Sequence, residues 1–199
     1  MANRKFEPGM AVMVLTFSFV LAGCPTDGRE ADTWSDVTAF DQLNGTWKGS
    51  SRKTQTMKEY YESNGQTWDP SMASVLGNMK ITRTLEMTYA INSTAKTLSF
   101  ETRQTYAFSG GYIASLWSNI KQQMLSDLDG LEDEGVIVTT DDTKHSITIL
   151  QIQPEEQISE EYAAGILSAG LQKNQNGTKV KIPAGTLGPE FPQMIMAKQ

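Results

Sequence analysis

The sequence predicts a mainly β chain whose antiparallel strands close into a barrel, with one or two amphipathic helices inserted between them. Two observations place the strands. From Lys80 to Ile91 and from Leu98 to Phe108, apolar and polar residues alternate at the two-residue period of a half-buried strand, and the turn-forming stretch Asn92-Ser93-Thr94-Ala95-Lys96 joins the two runs. A third observation places a helix: after Gly111 the period changes, and Ile113, Leu116, Trp117, Ile120, Met124 and Leu128 recur at helical spacing. Closure is expected because long amphipathic strands otherwise leave exposed edges.

Read from the amino end, Arg4 and Lys5 precede an apolar run, Met10 to Leu21, that is shorter than the roughly 20 residues a spanning helix needs. This is the pattern of a signal peptide over residues 1–23. The run ends in Leu21-Ala22-Gly23-Cys24, and Cys24 is the single cysteine of the chain. The motif resembles the lipobox of bacterial lipoproteins. The resemblance implies cleavage before Cys24, a diacylglycerol on its thiol and acylation of the new amino group, so that hydrocarbon chains tie the protein to a membrane. It also implies a place in the bacterial envelope. Pro25 stands where an Asp would favour inner-membrane retention, which leans towards the outer membrane.

Two or three long acyl chains hold a domain firmly, where one gives only marginal binding. The chain carries 23 Asp and Glu against 17 Lys and Arg, a net charge of −6. Cleavage removes Arg4, Lys5 and Glu7 and leaves 22 acidic and 15 basic side chains, a net −7. That balance argues against nucleic acid, which demands a concentrated basic face, and it shows no basic patch for anionic lipid.

Residues 24–42 form the expected lipidated terminus and tether, since Pro, Gly, Asp, Ser and Thr dominate and little can be buried; Trp34 and Phe40 are the two residues placed to dock. The 16 residues from Pro25 to Phe40 reach roughly 20–24 Å if flexible. The folded domain is expected over residues 43–199. It opens at Asn44-Gly45 with a strand to about Met57, followed by a long loop over 60–78 with a helical turn after Pro70. The helix from Ile113 is expected to be capped by Ser109 and stopped by Gly130. Strands at Val136–Thr140 and Lys144–Ile152 make a second hairpin. Pro154, Glu155 and Glu156 suit the first turn of a helix within 154–170, and strands at Thr178–Ile182 and Phe191–Ala197 complete the domain.

Gly45-Thr46-Trp47 resembles the G-x-W of lipocalins and related calycins, whose tryptophan seals one end of the barrel. The resemblance implies a lumen that holds a small apolar or amphiphilic ligand. On the alternating runs, Arg83, Thr102 and Gln104 share faces with Ile81, Leu85, Phe100 and Tyr106, an apolar lining with a few convergent polar groups. The candidate ligand-binding residues are therefore Trp47, Arg83, Met87, Phe100, Gln104 and Tyr106. The alternatives are that Trp47 is an ordinary core aromatic and that Arg83 sits at a rim with its stem packed.

One histidine and one cysteine remove intrachain disulfides and Cys- or His-rich zinc sites. The acidic clusters Asp127-Leu128-Asp129, Glu132-Asp133-Glu134, Asp141-Asp142 and Glu155-Glu156 lack the spacing of a calcium loop and read as solvated surface. No G-x-S-x-G pattern accompanies His145, which reads as a solvated strand-end residue. The expectation is a non-enzymatic protein with no metal and no cofactor beyond the lipid on Cys24. Its partners are then a membrane, reached through the anchor, and a small hydrophobic ligand. A scaffold that binds another envelope protein is the second expectation, and a hydrolase using paired carboxylates the last.

Overall fold

A computed structural model describes residues 32–63, 65–128, 136–187 and 191–199. Its strands are β1 (Trp34–Asp36), β2 (Gly45–Thr56), β3 (Lys80–Asn92), β4 (Thr97–Ser109), β5 (Val136–Asp141), β6 (Ser146–Gln157), β7 (Gln172–Asn174), β8 (Lys179–Ile182) and β9 (Met194–Lys198). The helices are α1 (Met57–Ser63), α2 (Ala73–Leu76), α3 (Ile113–Asp127) and α4 (Glu160–Ser168). The expected signal peptide, Cys24, the carboxylates over 129–134 and the Gly130 stop lie outside the described residues. None of the described helices is long and apolar enough to cross a membrane.

The strands form one antiparallel sheet in the order β1-β7-β8-β9-β2-β3-β4-β6-β5. Strands β1 and β5 are its ends and no ladder joins them, so the sheet is open where a closed barrel was expected. Alternation dictates which face of each strand is buried; it does not dictate that the first and last strands meet. Brevity limits the exposed edges instead, with three residues in β1 and six in β5. The order also departs from consecutive up-and-down pairing, since β6 lies between β4 and β5, and β9 between β8 and β2.

The centre of the sheet is the part that alternation predicts. β2 pairs β3 from Gly45 opposite Ile91 to Thr56 opposite Lys80, and β3 pairs β4 from Lys80 opposite Ser109 to Asn92 opposite Thr97. The odd-numbered residues of β3 therefore share one face with Trp47 of β2 and the even-numbered residues of β4. We call this the inner face. Both hydrophobic cores lie on it. One gathers Leu43, Trp47, Met87, Ile91, Leu98, Val180 and Met194, with α4 packed against it; the other gathers Met79, Ile81, Phe108, Ile113, Trp117 and Ile147.

Several boundaries differ from expectation for local reasons. Residues 32–42, expected as tether, carry β1 and most of a 3-10 turn at Phe40–Leu43; β1 pairs β7, Trp34 opposite Asn174, and Val37 and Leu43 are buried. Helix α1, unforeseen within the loop, begins on a capping box: the Glu59 amide donates to Thr56 Oγ1 at 3.2 Å and the Thr56 amide to Glu59 Oε2 at 2.7 Å. Ser109 ends β4 and does not cap α3, because Gly110 and Gly111 intervene with φ of 76° and 55°. Pro154, Glu155 and Glu156 belong to β6 and not to a helix. The register with β4 shifts between Leu98 and Phe100, where an extra residue of β6 leaves room for a residue without an N–H. Helix α4 starts later, at Glu160, capped by Ser159, whose hydroxyl accepts from the Tyr162 amide at 3.1 Å.

Asp142 fastens α3 to the β5–β6 turn. Its carboxylate accepts from Lys121 Nζ at 2.7 Å and from the Trp117 indole N–H at 2.8 Å, and these bonds hold its pKa below the ordinary value. A carboxylate lowered in the folded state stabilises above the unfolded pKa, and that contribution fades as pH falls through the folded one. The thermal midpoint is expected to fall in acid for the native chain and to fall less steeply for Asp142→Asn, as differential scanning fluorimetry from neutral pH downward can check.

Candidate functional site

Between the two cores, the inner face is polar where an uninterrupted core would be apolar. The backbone register puts Lys53 opposite Arg83, and Arg83 opposite Tyr106, which is opposite Ile147. The next row along the sheet is Ser51, Leu85, Gln104 and Ile149, and the one after it runs Gly49, Met87, Thr102 and Gln151. Strand geometry sets these rows about 7 Å apart. Ser51 and Arg83 are buried, Lys53, Thr102, Gln104 and Tyr106 are half-buried, and Gln151 is exposed. The polar belt thus opens towards solvent on the β6 side.

Arg83 is the fixed charge of this belt. Its guanidinium carbon lies 5.0 Å from the Tyr106 ring centre, 5.3 Å from that of Phe191 and 5.7 Å from that of Tyr60, and Nη2 donates to Tyr106 Oη at 3.3 Å. Three aromatic rings hold a weakly hydrated, permanently charged group in place. Lys53 stands beside it on the neighbouring strand. Its charge also reaches Glu59, whose pKa is lowered chiefly by the hydrogen bonds from Thr56 and further by Lys53. Two adjacent cations with the Gln104 amide and the Thr102 hydroxyl can receive an anionic or strongly polar head group, while the cores on either side offer apolar surface.

Of the residues picked from the sequence, the structure brings Arg83, Tyr106 and Gln104 together in the belt. Trp47, Met87 and Phe100 belong to the packed core below it. Trp47 is 2% exposed and its indole N–H donates to the Leu43 carbonyl at 2.6 Å. Phe100 packs on Tyr89 with ring centres 5.8 Å apart and the rings tilted by 41°. Burial and the neighbouring Tyr162 push the Tyr89 phenol up from its ordinary value.

Sequence reasoning missed Ser51, Lys53, Tyr60 and Phe191. Counting by two from Trp47 would have placed Ser51 and Lys53 on the inner face, whereas Tyr60 and Phe191 approach Arg83 from outside the sheet and carry no such signal. His145 lies away from the belt, in the turn before β6, its ring 5.7 Å from Trp117 in edge contact. Among the described residues no three His, Cys, Asp or Glu side chains are grouped to hold a metal ion. An open depression of about 560 Å³ occupies the opposite, outer face, where the ion-paired Glu86, Glu101 and Arg103 rim it. No protein-family model, curated protein or solved structure matches the chain.

Proposed function

We propose that this chain is a bacterial envelope lipoprotein, held at the membrane by acyl chains on Cys24 and non-enzymatic, that binds or carries a small amphiphilic molecule on the inner face of its sheet. The outer membrane suits Pro25 better than the inner. The observation that carries the binding reading is the polar belt, with Arg83 and Lys53 side by side between two apolar cores. A protein with no ligand gains little by burying an arginine on a sheet face that could have been apolar throughout. An amphiphile's tail would replace water along the half-buried side of the belt, near Ile149 and Gln104, with its head against the cations. Helices α3 and α4 pack over the inner face on either side of the belt, one against each core.

Purification of the protein from its own membrane, followed by solvent extraction and mass spectrometry, tests this reading. The expected result is one class of amphiphile near stoichiometric amount, depleted about ten- to hundredfold in Lys53→Met/Gln104→Leu, since the loss of two charged or polar contacts is worth about 1.5–3 kcal/mol. Thermal unfolding shows whether that variant is folded. Native protein free of extractable amphiphile overturns the reading.

A specific observation also favours a protein partner. Ile137 and Ile152 are 51% and 49% exposed on the outer face beside the open β5 edge, an apolar strip next to unpaired backbone. Crosslinking in intact cells that traps one stoichiometric protein at Ile137, with belt variants inert, would favour that reading over the first.

A further inference from the structure

We propose that the outer face of β8, β9 and β2 docks on an anionic lipid bilayer, orienting the anchored protein with its sheet edge β5 away from the membrane. The proposal rests on the reading that Cys24 carries the anchor. Its basis is a separation of charge that the net −6 conceals. The four neighbouring strands β7, β8, β9 and β2 hold seven Lys or Arg and no Asp or Glu, and on the outer face they are bordered by Asp36 of β1 and Glu86 of β3. At the other end of the sheet β5 and β6 hold Asp141, Glu155 and Glu156 and no Lys or Arg.

Four of the seven cations point to the outer face. Lys179 is opposite Ala197, which is opposite Lys48, while Lys181 is opposite Ile195, and Arg52 lies four residues from Lys48 on the same face. At a strand spacing of about 4.8 Å, Lys179 and Lys48 stand roughly 10 Å apart, so the group fits over a few lipid head groups. Lys179 is held by Asp32 at 2.7 Å, whereas no ion pair of the described residues uses Lys48, Arg52 or Lys181. Apolar and amphipathic groups lie among the charges. Ile195 is 44% exposed at the centre, and the Trp34 ring centre lies 4.7 Å from Lys181 Nζ. Cations around an exposed aliphatic side chain and an indole suit the head-group boundary of an anionic bilayer.

The position of the chain's entry supplies the second argument. Asp32 contacts Lys179, so the polypeptide enters the fold at this patch, and Cys24 precedes Asp32 by eight residues. Eight residues reach at most about 28 Å, which keeps the basic end of the sheet near any membrane that holds Cys24. The acidic end is then repelled from the same surface, and the two effects orient the body in one sense. Screening confines this force to within about 10 Å of the surface in ordinary salt.

The test uses acylated protein extracted from its own membrane and reconstituted into vesicles of phosphatidylcholine alone or of equimolar phosphatidylcholine and phosphatidylglycerol. Amine acylation read by peptide mass spectrometry reports each lysine. Lys48 and Lys181 are expected to react about threefold more slowly on the anionic vesicles, with the difference removed at about 0.5 M salt and Lys144, on the β5–β6 turn, unchanged. Lys48→Glu/Arg52→Glu, at two exposed positions, is expected to abolish the protection of Lys181 without moving the thermal midpoint. Equal labelling on both vesicles, or protection of Lys144 together with Lys48, overturns the docking surface while leaving the anchor in place. An intact mass without acyl groups at Cys24 removes the anchor reading, and the docking with it.

Discussion

Trp47→Ala is expected to lower the unfolding free energy by about 3–5 kcal/mol, the range of large-to-small changes at fully packed aromatic positions. Two losses combine. The side chain is 2% exposed within the core formed by Leu43, Met87, Val180 and Met196, so its removal leaves a void bounded by β2, β3, β8 and β9 that a single relaxing side chain cannot fill. The Leu43 carbonyl also loses the indole donor at 2.6 Å and stays buried, at a cost of about 1–3 kcal/mol. Trp47→Phe keeps most of the volume and loses the donor, so its expected cost is the second loss alone. Urea denaturation at equilibrium separates the two variants if their m values match the native one. Amphiphile recovered from Trp47→Phe is expected to equal that from the native protein, because Trp47 builds the core beneath the belt; a large fall would make the indole a ligand contact.

The β3–β4 hairpin was legible because each strand writes its buried face into every second residue for thirteen positions. Short strands do not. β1 and β7 have three residues each and lie 138 positions apart along the chain, and what makes them strands is the pairing of Ser35 with Lys173, which no local pattern encodes. Pro154 misleads for the opposite reason. Its local chemistry is that of a helix start, yet the long ladder between β4 and β6 carries through it by taking an irregularity. The belt was half legible. Arg83 announced itself by interrupting an apolar series, while Lys53 sat in a strand of mostly polar residues where one more polar residue carries no contrast. The basic face was hidden by addition, since net charge sums over strands that the fold sends to opposite ends of one sheet. Local patterns thus report what a residue's own strand buries, and the functional surfaces here arise between strands distant in sequence.

Gly110→Ala is expected to cost about 2–4 kcal/mol and to loosen α3, the second large effect the fold implies. Gly110 and Gly111 turn the chain out of β4 and into α3 with φ of 76° and 55°. An L side chain in that region costs about 1–2 kcal/mol by itself. At Gly110 a further cost arises, because the new Cβ would stand 2.5 Å from the Asn78 carbonyl oxygen, a backbone atom that cannot rotate aside. Either Asn78 and Met79 shift, disturbing Met79 in the core of Ile81, Phe108 and Ile147, or the start of α3 lifts. Both movements reach the far side of the helix through Trp117, whose hydrogen bond to Asp142 and contact with Phe108 depend on where Ile113 begins the first turn. Gly170→Ala is the matched control. Its φ is 68°, but the nearest atom to its Cβ is the Pro183 Cγ at 3.8 Å, an ordinary contact. The difference between the two variants in chemical denaturation measures the collision alone. If Gly110→Ala and Gly170→Ala lose the same stability, with near-ultraviolet circular dichroism unchanged in both, then the close approach of β4's end to Asn78 does not constrain α3.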